Sequence, residues 1–231
     1  MIIKKYKVRI SSITNLLEGV YTLEFESLNG AFKYASGQFL HLALDNHYDG
    51  SGQWPESRCF SMQSNPDNAT IKITYTVKGS FTQAMASELK IGSEVWIKLP
   101  FGELFSSVHD KNNTVFIAGG TGITPFLSLF THTSFAEYKN PHIYLGFRSQ
   151  HYNVYSSELQ SACNISPYGE QILHLIYQDT NGMLDINKIF NENGSDSTYF
   201  ISGPPLMINS FKKTLIDNGV NKQNIKTDDW E

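Results

Sequence analysis

The feature that most constrains this chain is a change of hydrophobic period half-way along it. Over the first hundred residues apolar positions recur every second residue. Ile71, Ile73, Tyr75 and Val77 alternate with Lys72, Thr74, Thr76 and Lys78, and Val95, Ile97 and Leu99 do the same around Trp96 and Lys98, the mark of half-buried strands. Similar runs at Lys7–Ile13, Val20–Ser27 and Gln38–Leu44 are separated by Gly, Asn and Asp, with one helical stretch at Thr82–Leu89. Strands of this length and spacing predict a small antiparallel barrel. Beyond residue 110 the pattern becomes strand-then-helix. Apolar β-runs at Thr114–Ala118, His142–Gly146, Ile172–Tyr177 and Thr198–Ser202 alternate with helical stretches. One such stretch carries Ile123, Phe126, Leu127 and Phe130, another spans Val154–Ala162, and a third, Leu206–Asn218, carries Met207, Phe211 and Leu215. That order predicts βαβ units and a parallel sheet with helices on both faces. The expected architecture is a six-stranded antiparallel β-barrel with one helix over residues 1–107, followed by an α/β domain over residues 108–231, with the polar stretch Ser106–Asn113 between them.

Composition removes several classes of function. A formal net charge of −4 and a pI near 6.0 argue against a general nucleic-acid binder, which needs a basic surface to displace counterions. Cys59 and Cys163 are too few for a disulfide framework or for the four thiolates of an iron–sulfur cluster, and read as buried free thiols. No metal site is expected. No stretch approaches the length of a membrane span, and the lysine-rich start lacks the apolar run of a signal peptide. The expectation is a cytoplasmic monomer.

Four segments could carry chemistry. Ile117-Ala-Gly-Gly-Thr-Gly-Ile-Thr-Pro-Phe126 takes a strand through Gly119, Gly120, Thr121 and Gly122 into a helix with Pro125 at its first position. Glycines allow close backbone approach, and the N–H groups of a helix start suit a diphosphate. By itself the segment also fits a ligand-free glycine turn, the less favoured of the two readings, and it lacks the G-x-G-x-x-G spacing. Arg58-Cys-Phe-Ser61 offers a guanidinium for an anion, or an arginine salt bridge beside a core phenylalanine. Lys78-Gly-Ser-Phe-Thr82 puts Gly79, Ser80 and Thr82 at a helix start, with Thr82 readable as a plain N-cap. Ser202-Gly-Pro-Pro-Leu-Met207 is either a second ligand loop or a rigid strand-to-helix turn.

Taken together and in this order, the segments resemble the ferredoxin–NADP reductase superfamily, in its compact form without a fused ferredoxin domain. Arg58-Cys-Phe-Ser61 is similar to that family's R-x-Y-S flavin motif, Lys78–Thr82 to its flavin diphosphate loop, and Leu99-Pro-Phe-Gly102 to the barrel's closing P-x-G. Gly119–Pro125 resembles its nicotinamide-nucleotide loop, Ser202–Met207 its C-G-P-P-x-M segment, and Thr227-Asp-Asp-Trp230 its acidic–aromatic tail. The resemblance implies an FAD-dependent enzyme that takes hydride from NADH or NADPH. Arg58, Lys78, Gly79, Ser80 and Thr82 would hold flavin phosphates, Phe60 would lie along the isoalloxazine, and Ser61 would bond near N5. Gly119, Gly120, Thr121, Gly122, Pro125, Arg148, Gly203, Pro204 and Met207 would hold the nicotinamide dinucleotide. Ser61, Ser202 and Asp228 are the implied catalytic residues, with Trp230 covering the flavin.

The sequence departs from the family at three of these positions: Phe60 replaces tyrosine, Ser202 replaces cysteine, and Asp228 replaces glutamate. Where NADP-specific relatives carry a serine–arginine pair, this chain has Tyr177-Gln178-Asp179, which favours NADH, whereas Arg148 favours NADPH. The implied acceptor is a ferredoxin, flavodoxin or oxygenase component, with Lys4, Lys5, Lys7 and Arg9 as a local basic face. The alternatives are a free-standing ferric-chelate or small-molecule reductase and a non-catalytic flavin-binding sensor.

Overall fold

A computed structural model describes residues 2–45 and 47–228. The chain forms two compact units that divide between Glu103 and Leu104. The division falls four residues before the expected one because Leu104 is buried in the core of the second unit. Phe105 also packs there, its ring 5.0 Å from that of Phe200.

The first unit contains strands β1 (Lys4–Leu17), β2 (Val20–Ser27), β3 (Phe39–Ala43), β4 (Ser57–Ser61), β5 (Thr70–Thr76) and β6 (Glu94–Phe101), with helix α1 (Ser80–Glu88) between the last two. They form one antiparallel sheet in the order β4-β3-β6-β1-β2-β5. Just past β4 the Gln63 N–H donates to the Lys72 carbonyl of β5 at 2.8 Å, which brings the two ends of the sheet together. The period-2 pattern decides which side chains enter. Val8, Ile10, Leu23, Phe25, Leu40, Leu42, Ile71, Ile73, Ile97 and Leu99 make a core from which solvent is excluded, while Lys7, Arg9, Lys72 and Glu94 stay on the wall. Gly102 ends β6 with φ +86, and a Cβ there would fall 2.9 Å from the Phe39 ring, so this corner admits glycine alone.

The second unit contains β7 (Thr114–Gly119), α2 (Thr124–Phe130), β8 (Pro141–Phe147), α3 (Ser156–Ile165), β9 (Leu173–Tyr177), α4 (Gln178–Asn181), α5 (Ile186–Asn193), β10 (Thr198–Ser202), α6 (Pro205–Asp217) and β11 (Ile225–Thr227). The sheet is parallel, in the order β11-β10-β7-β8-β9. Both of its faces are covered. Phe116, Ala118, Ile143, Leu145 and Phe200 pack with α2 and α3, and Val115, Ile117, Tyr199 and Ile201 pack with α5 and α6. This is why β7 reads as an uninterrupted apolar run and not as an alternating one. The sequence pattern predicts a single apolar stripe on α2, yet all seven of its residues are buried.

Among the described residues no helix is long and apolar enough to cross a membrane, and no three His, Cys, Asp or Glu side chains converge as a metal site. Cys163 is buried as expected, whereas Cys59 is only half-buried, 3.5 Å from the His41 ring. Burial pushes both thiols up.

Burial also holds the imidazoles of His41, His109, His142 and His174 below their ordinary 6.5. On the α5 side of the sheet His142 Nδ1 lies 3.1 Å from His174 Nε2, and the Tyr144 ring stacks on His174 at 4.3 Å. Glu192 and Lys188 are the charged groups nearest this pair. A histidine held neutral on folding costs nothing above pH 6.5. It weighs against the fold progressively as the pH drops below 6.5 towards its lowered folded value, because the unfolded chain then binds more protons. The lowered carboxylates Asp49, Glu94 and Glu137 act only in a more acidic window. The urea midpoint is therefore expected to fall between pH 7.5 and 5.5, and His174→Gln to recover part of that fall. An unchanged midpoint across this range would contradict the assignment.

Candidate functional site

Two groups of residues deserve separate description, one in each unit. In the first, the family-like tetrapeptide Arg58–Ser61 lies within strand β4. Arg58 stands at its solvent-exposed end with its guanidinium carbon 5.2 Å from the centroid of the Phe81 ring. It therefore lies beside the first turn of α1, the element that carries the Lys78–Thr82 segment. Its Nη2 meets the Glu56 carboxylate at 2.9 Å and its Nη1 donates to the Ser57 carbonyl at 2.9 Å. Both open readings of the segment are thus present, an arginine aimed at a helix start and an arginine paired with an acid.

α1 begins two residues earlier than its hydrophobic pattern suggests. Gly79 is its N-cap, and Thr82 sits at the third helical position, not at the cap. The Thr82 hydroxyl reaches back to accept the N–H groups of Lys78 at 2.9 Å and Gly79 at 3.2 Å, and donates to the Gly79 carbonyl. That pins the turn while leaving the first-turn N–H groups without partners inside the helix. No acidic residue lies in that turn, and the space a Cβ on Gly79 would occupy is open. Phe60 and Ser61 are 8% and 7% exposed. Phe60 packs inside the barrel core beside Tyr75, the ring centroids 6.1 Å apart, so it presents far less surface than a stacking platform would.

In the second unit the chain leaves β7 through Gly119 into a 3₁₀ turn, Gly120–Ile123, that feeds α2. Pro125 is accordingly the second residue of the helix and not the first. The neighbouring strand β10 leaves through Ser202 and Gly203 into α6, and the two exits lie against each other. A Cβ on Gly122 would fall 2.4 Å from the Gly203 Cα, and one on Gly119 would fall 3.1 Å from the Met207 sulfur and 3.4 Å from Pro204. Gly203 has φ +148 and Gly120 has φ +55, while the space beside Gly120 is open. The structure thus brings Gly119, Gly120, Thr121, Gly122, Pro125, Ser202, Gly203, Pro204 and Met207 together at the carboxyl ends of two adjacent parallel strands, where such sheets bind ligands. Asp228 joins them. Its N–H donates to the Ile201 carbonyl at 3.1 Å, and its carboxylate accepts from the Ser202 hydroxyl at 3.2 Å.

Arg148 and Asp179 meet at the ends of β8 and β9, where the Asp179 N–H donates to the Arg148 carbonyl at 3.2 Å. The exposed Arg148 guanidinium lies 5.9 Å from the Tyr152 ring centroid. Trp230 lies outside the described residues. Sequence reasoning missed Glu56 and the contact of Arg58 with Phe81. The signal for Glu56 was its place two residues before Arg58, near enough for the two charges to pair.

Residues 116–213 match the oxidoreductase NAD-binding domain. Over 96% of its length the chain is 23% identical to the reductase component of propane 2-monooxygenase from Rhodococcus jostii, covering 63% of that protein. A ferredoxin–NADP+ reductase from Plasmodium falciparum aligns with 97% of this chain and 95% of its own, with a TM-score of 0.73 and 19% identity. The chain thus shares the fold of the ferredoxin–NADP+ reductases. A cytochrome P450 reductase from Amycolatopsis superposes with a TM-score of 0.81 at 15% identity, covering 99% of this chain and 70% of its own. The chain spans from 27% to 63% of the length of the first curated relatives it matches.

Within this reductase fold the glycines make different demands. Gly122→Ala drives a methyl group into the Gly203 backbone and is expected to cost about 3 kcal/mol, the upper end for overpacking. Gly120→Ala meets no atom and is expected to cost only about 1 kcal/mol, from its left-handed backbone, yet to weaken NADH binding. Urea unfolding and NADH titration of the two variants measure this contrast; equal stability losses would refute it.

Proposed function

We propose that this chain takes hydride from NADH onto FAD and delivers the electrons to a separate acceptor protein such as an oxygenase component, a ferredoxin or a flavodoxin. The observation that carries the reading is the back-to-back packing of the Gly119–Ile123 and Ser202–Met207 turns, inside a segment that matches an oxidoreductase NAD-binding domain.

The residues of the first unit suit a flavin diphosphate. One half-exposed guanidinium, Arg58, stands beside a helix start that has no acid in its first turn, a pinned Thr82 and open space over Gly79. In this reading Arg58, Lys78, Gly79, Ser80 and Thr82 hold the phosphates, with the helix dipole adding to the cation. Ser61 lies next along β4, and Phe60, nearly buried, offers a flavin little surface. Bound flavin would supply the chemistry of accepting a hydride and releasing single electrons. The chain supplies placement. Gly119, Gly120, Thr121 and Gly122 let a dinucleotide approach the backbone, Gly203, Pro204 and Met207 back that turn, and the Ser202–Asp228 hydrogen bond fixes the hydroxyl meant for the nicotinamide.

The preference for NADH rests on charge. Asp179 stands where an NADPH enzyme needs a cation, and a carboxylate there repels a 2′-phosphate while suiting a ribose diol. Arg148, whose carbonyl accepts the Asp179 N–H, is a cation that opposes this reading.

A second reading, a reductase of ferric chelates or other small acceptors, draws support from the barrel wall. The expected basic face is largely self-neutralised, because Lys7 and Arg9 both pair with Glu94, at 2.8 and 2.9 Å. Lys5 is turned onto Tyr48 and the Gly50 and Gly52 carbonyls.

Anaerobic stopped-flow mixing tests the proposal. The purified protein is expected to be yellow and to bleach with NADH about tenfold faster than with NADPH, with Ser202→Ala slowing bleaching by about tenfold through lost positioning. A protein that holds flavin but is not bleached by either nucleotide refutes hydride transfer. Turnover on ferric citrate without any iron–sulfur protein would favour the second reading.

A further inference from the structure

The acid beside Arg58 is the one feature of the diphosphate cradle with the wrong sign. Glu56 and Arg58 lie on the same face of the chain, Glu56 just before β4 and Arg58 within it, and the carboxylate takes the Nη2 edge of the guanidinium at 2.9 Å. The Nη1 edge is turned back to the Ser57 carbonyl, and the Phe81 ring, 5.2 Å away, covers the guanidinium on another side. A guanidinium recognises phosphate best through two parallel N–H donors. Here one donor of that pair is held by a carboxylate and the other by the strand's own backbone. An incoming diphosphate must therefore displace Glu56 or share Arg58 with it, and sharing leaves two anions on one cation. Both side chains are well exposed, Arg58 at 50% and Glu56 at 75%, so the existing pair is weak and easily opened. What persists after opening is the negative charge of Glu56 next to the phosphates.

We propose that Glu56 is an internal competitor for the flavin diphosphate on Arg58, a residue that loosens flavin binding and keeps the flavin exchangeable. This rests on the reading that the first unit holds FAD through Arg58 and the α1 turn. If it is right, flavin affinity follows the charge at position 56, because that charge acts on the phosphates directly and through the arginine it occupies. A residue that merely oriented Arg58 would have the opposite effect when removed.

The test is FAD titration of the flavin-stripped full-length chain at low ionic strength, comparing wild type with Glu56→Gln, Glu56→Lys and Arg58→Gln. Removing one exposed like charge is expected to tighten FAD binding about threefold to tenfold in Glu56→Gln. Glu56→Lys is expected to bind tighter still and Arg58→Gln to bind weaker than wild type. The gain in Glu56→Gln should shrink in high salt, since it is electrostatic and exposed. Thermal unfolding of the stripped variants checks that they remain folded. If FAD binds wild type but Glu56→Gln binds it equally or more weakly, Glu56 is not a competitor and the inference is overturned, with the flavin reading intact. If wild type binds no FAD at all, both fall.

Discussion

The second unit depends on one constraint, that two chain exits from adjacent parallel strands occupy the space normally needed for one side chain. β7 and β10 are hydrogen-bonded neighbours in register from Thr198↔Thr114 to Ser202↔Ala118, so their following turns must emerge side by side. At Gly122 the approach leaves no room for even a methyl group, because the nearest atoms belong to the Gly203 backbone and backbone cannot swing aside. The cost is a double loss of conformational freedom in the unfolded-to-folded change, since glycine surrenders more than any other residue. What results is a surface of bare peptide at the carboxyl end of the sheet, with Gly120 open on its outer side. Bare peptide at a helix start presents N–H groups rather than side chains, which is the chemistry a diphosphate requires.

Strand pattern was the most legible part of the fold. β2 and β10 occupy the residues their apolar runs mark, because in each the run is bounded by sharp turn residues. Element ends set by capping were less legible. α1 starts at Ser80 because Thr82 satisfies the turn from inside the helix, whereas a threonine after an apolar strand looks like the cap itself. α5 was missed. Ile186 and Ile189 are its only buried residues, and Asn187, Asn191 and Asn193 surround them with poor helix formers. Its start was nonetheless written in Asp185, whose carboxylate accepts the N–H groups of Asn187 and Lys188. α2 shows the limit of periodicity: an apolar stripe reveals one buried face, but the burial of Thr124 and Ser128 depends on tertiary packing, and Ser128 satisfies its hydroxyl on the Pro125 carbonyl.

Of the site, the glycine turns were readable because close backbone approach or a positive φ explains several glycines at a strand exit, and the structure supplies both, the first at Gly122 and the second at Gly120. The role of Phe60 was less readable. A resemblance to a motif places a ring at a position in the strand, but which way that ring is covered depends on Tyr75 across the sheet closure. Charge was least readable of all. The cluster of lysines and arginine at the start of β1 suggests a basic docking face when counted along the sequence, yet antiparallel pairing sets Glu94 of β6 directly opposite Arg9. One carboxylate then takes up two of the four cations. Net charge on a strand says little until its neighbour is known.

The same logic applies to Arg58 and carries further. An arginine that is to meet a polyanion gains from a low background of negative charge, and the α1 turn meets that demand by excluding acids from its first turn. If Arg58 is the residue that meets that anion, Glu56 sets a negative charge directly beside it. Selection for tight flavin retention alone would favour a neutral residue there, since the carboxylate adds little stability as an exposed pair. A carboxylate at that position makes sense if the site trades affinity for exchange, or if it must discriminate against inorganic phosphate. Both explanations require that the acid act on the ligand and not on the fold, so under this proposal the charge of the side chain, and not its packing, is the property to vary.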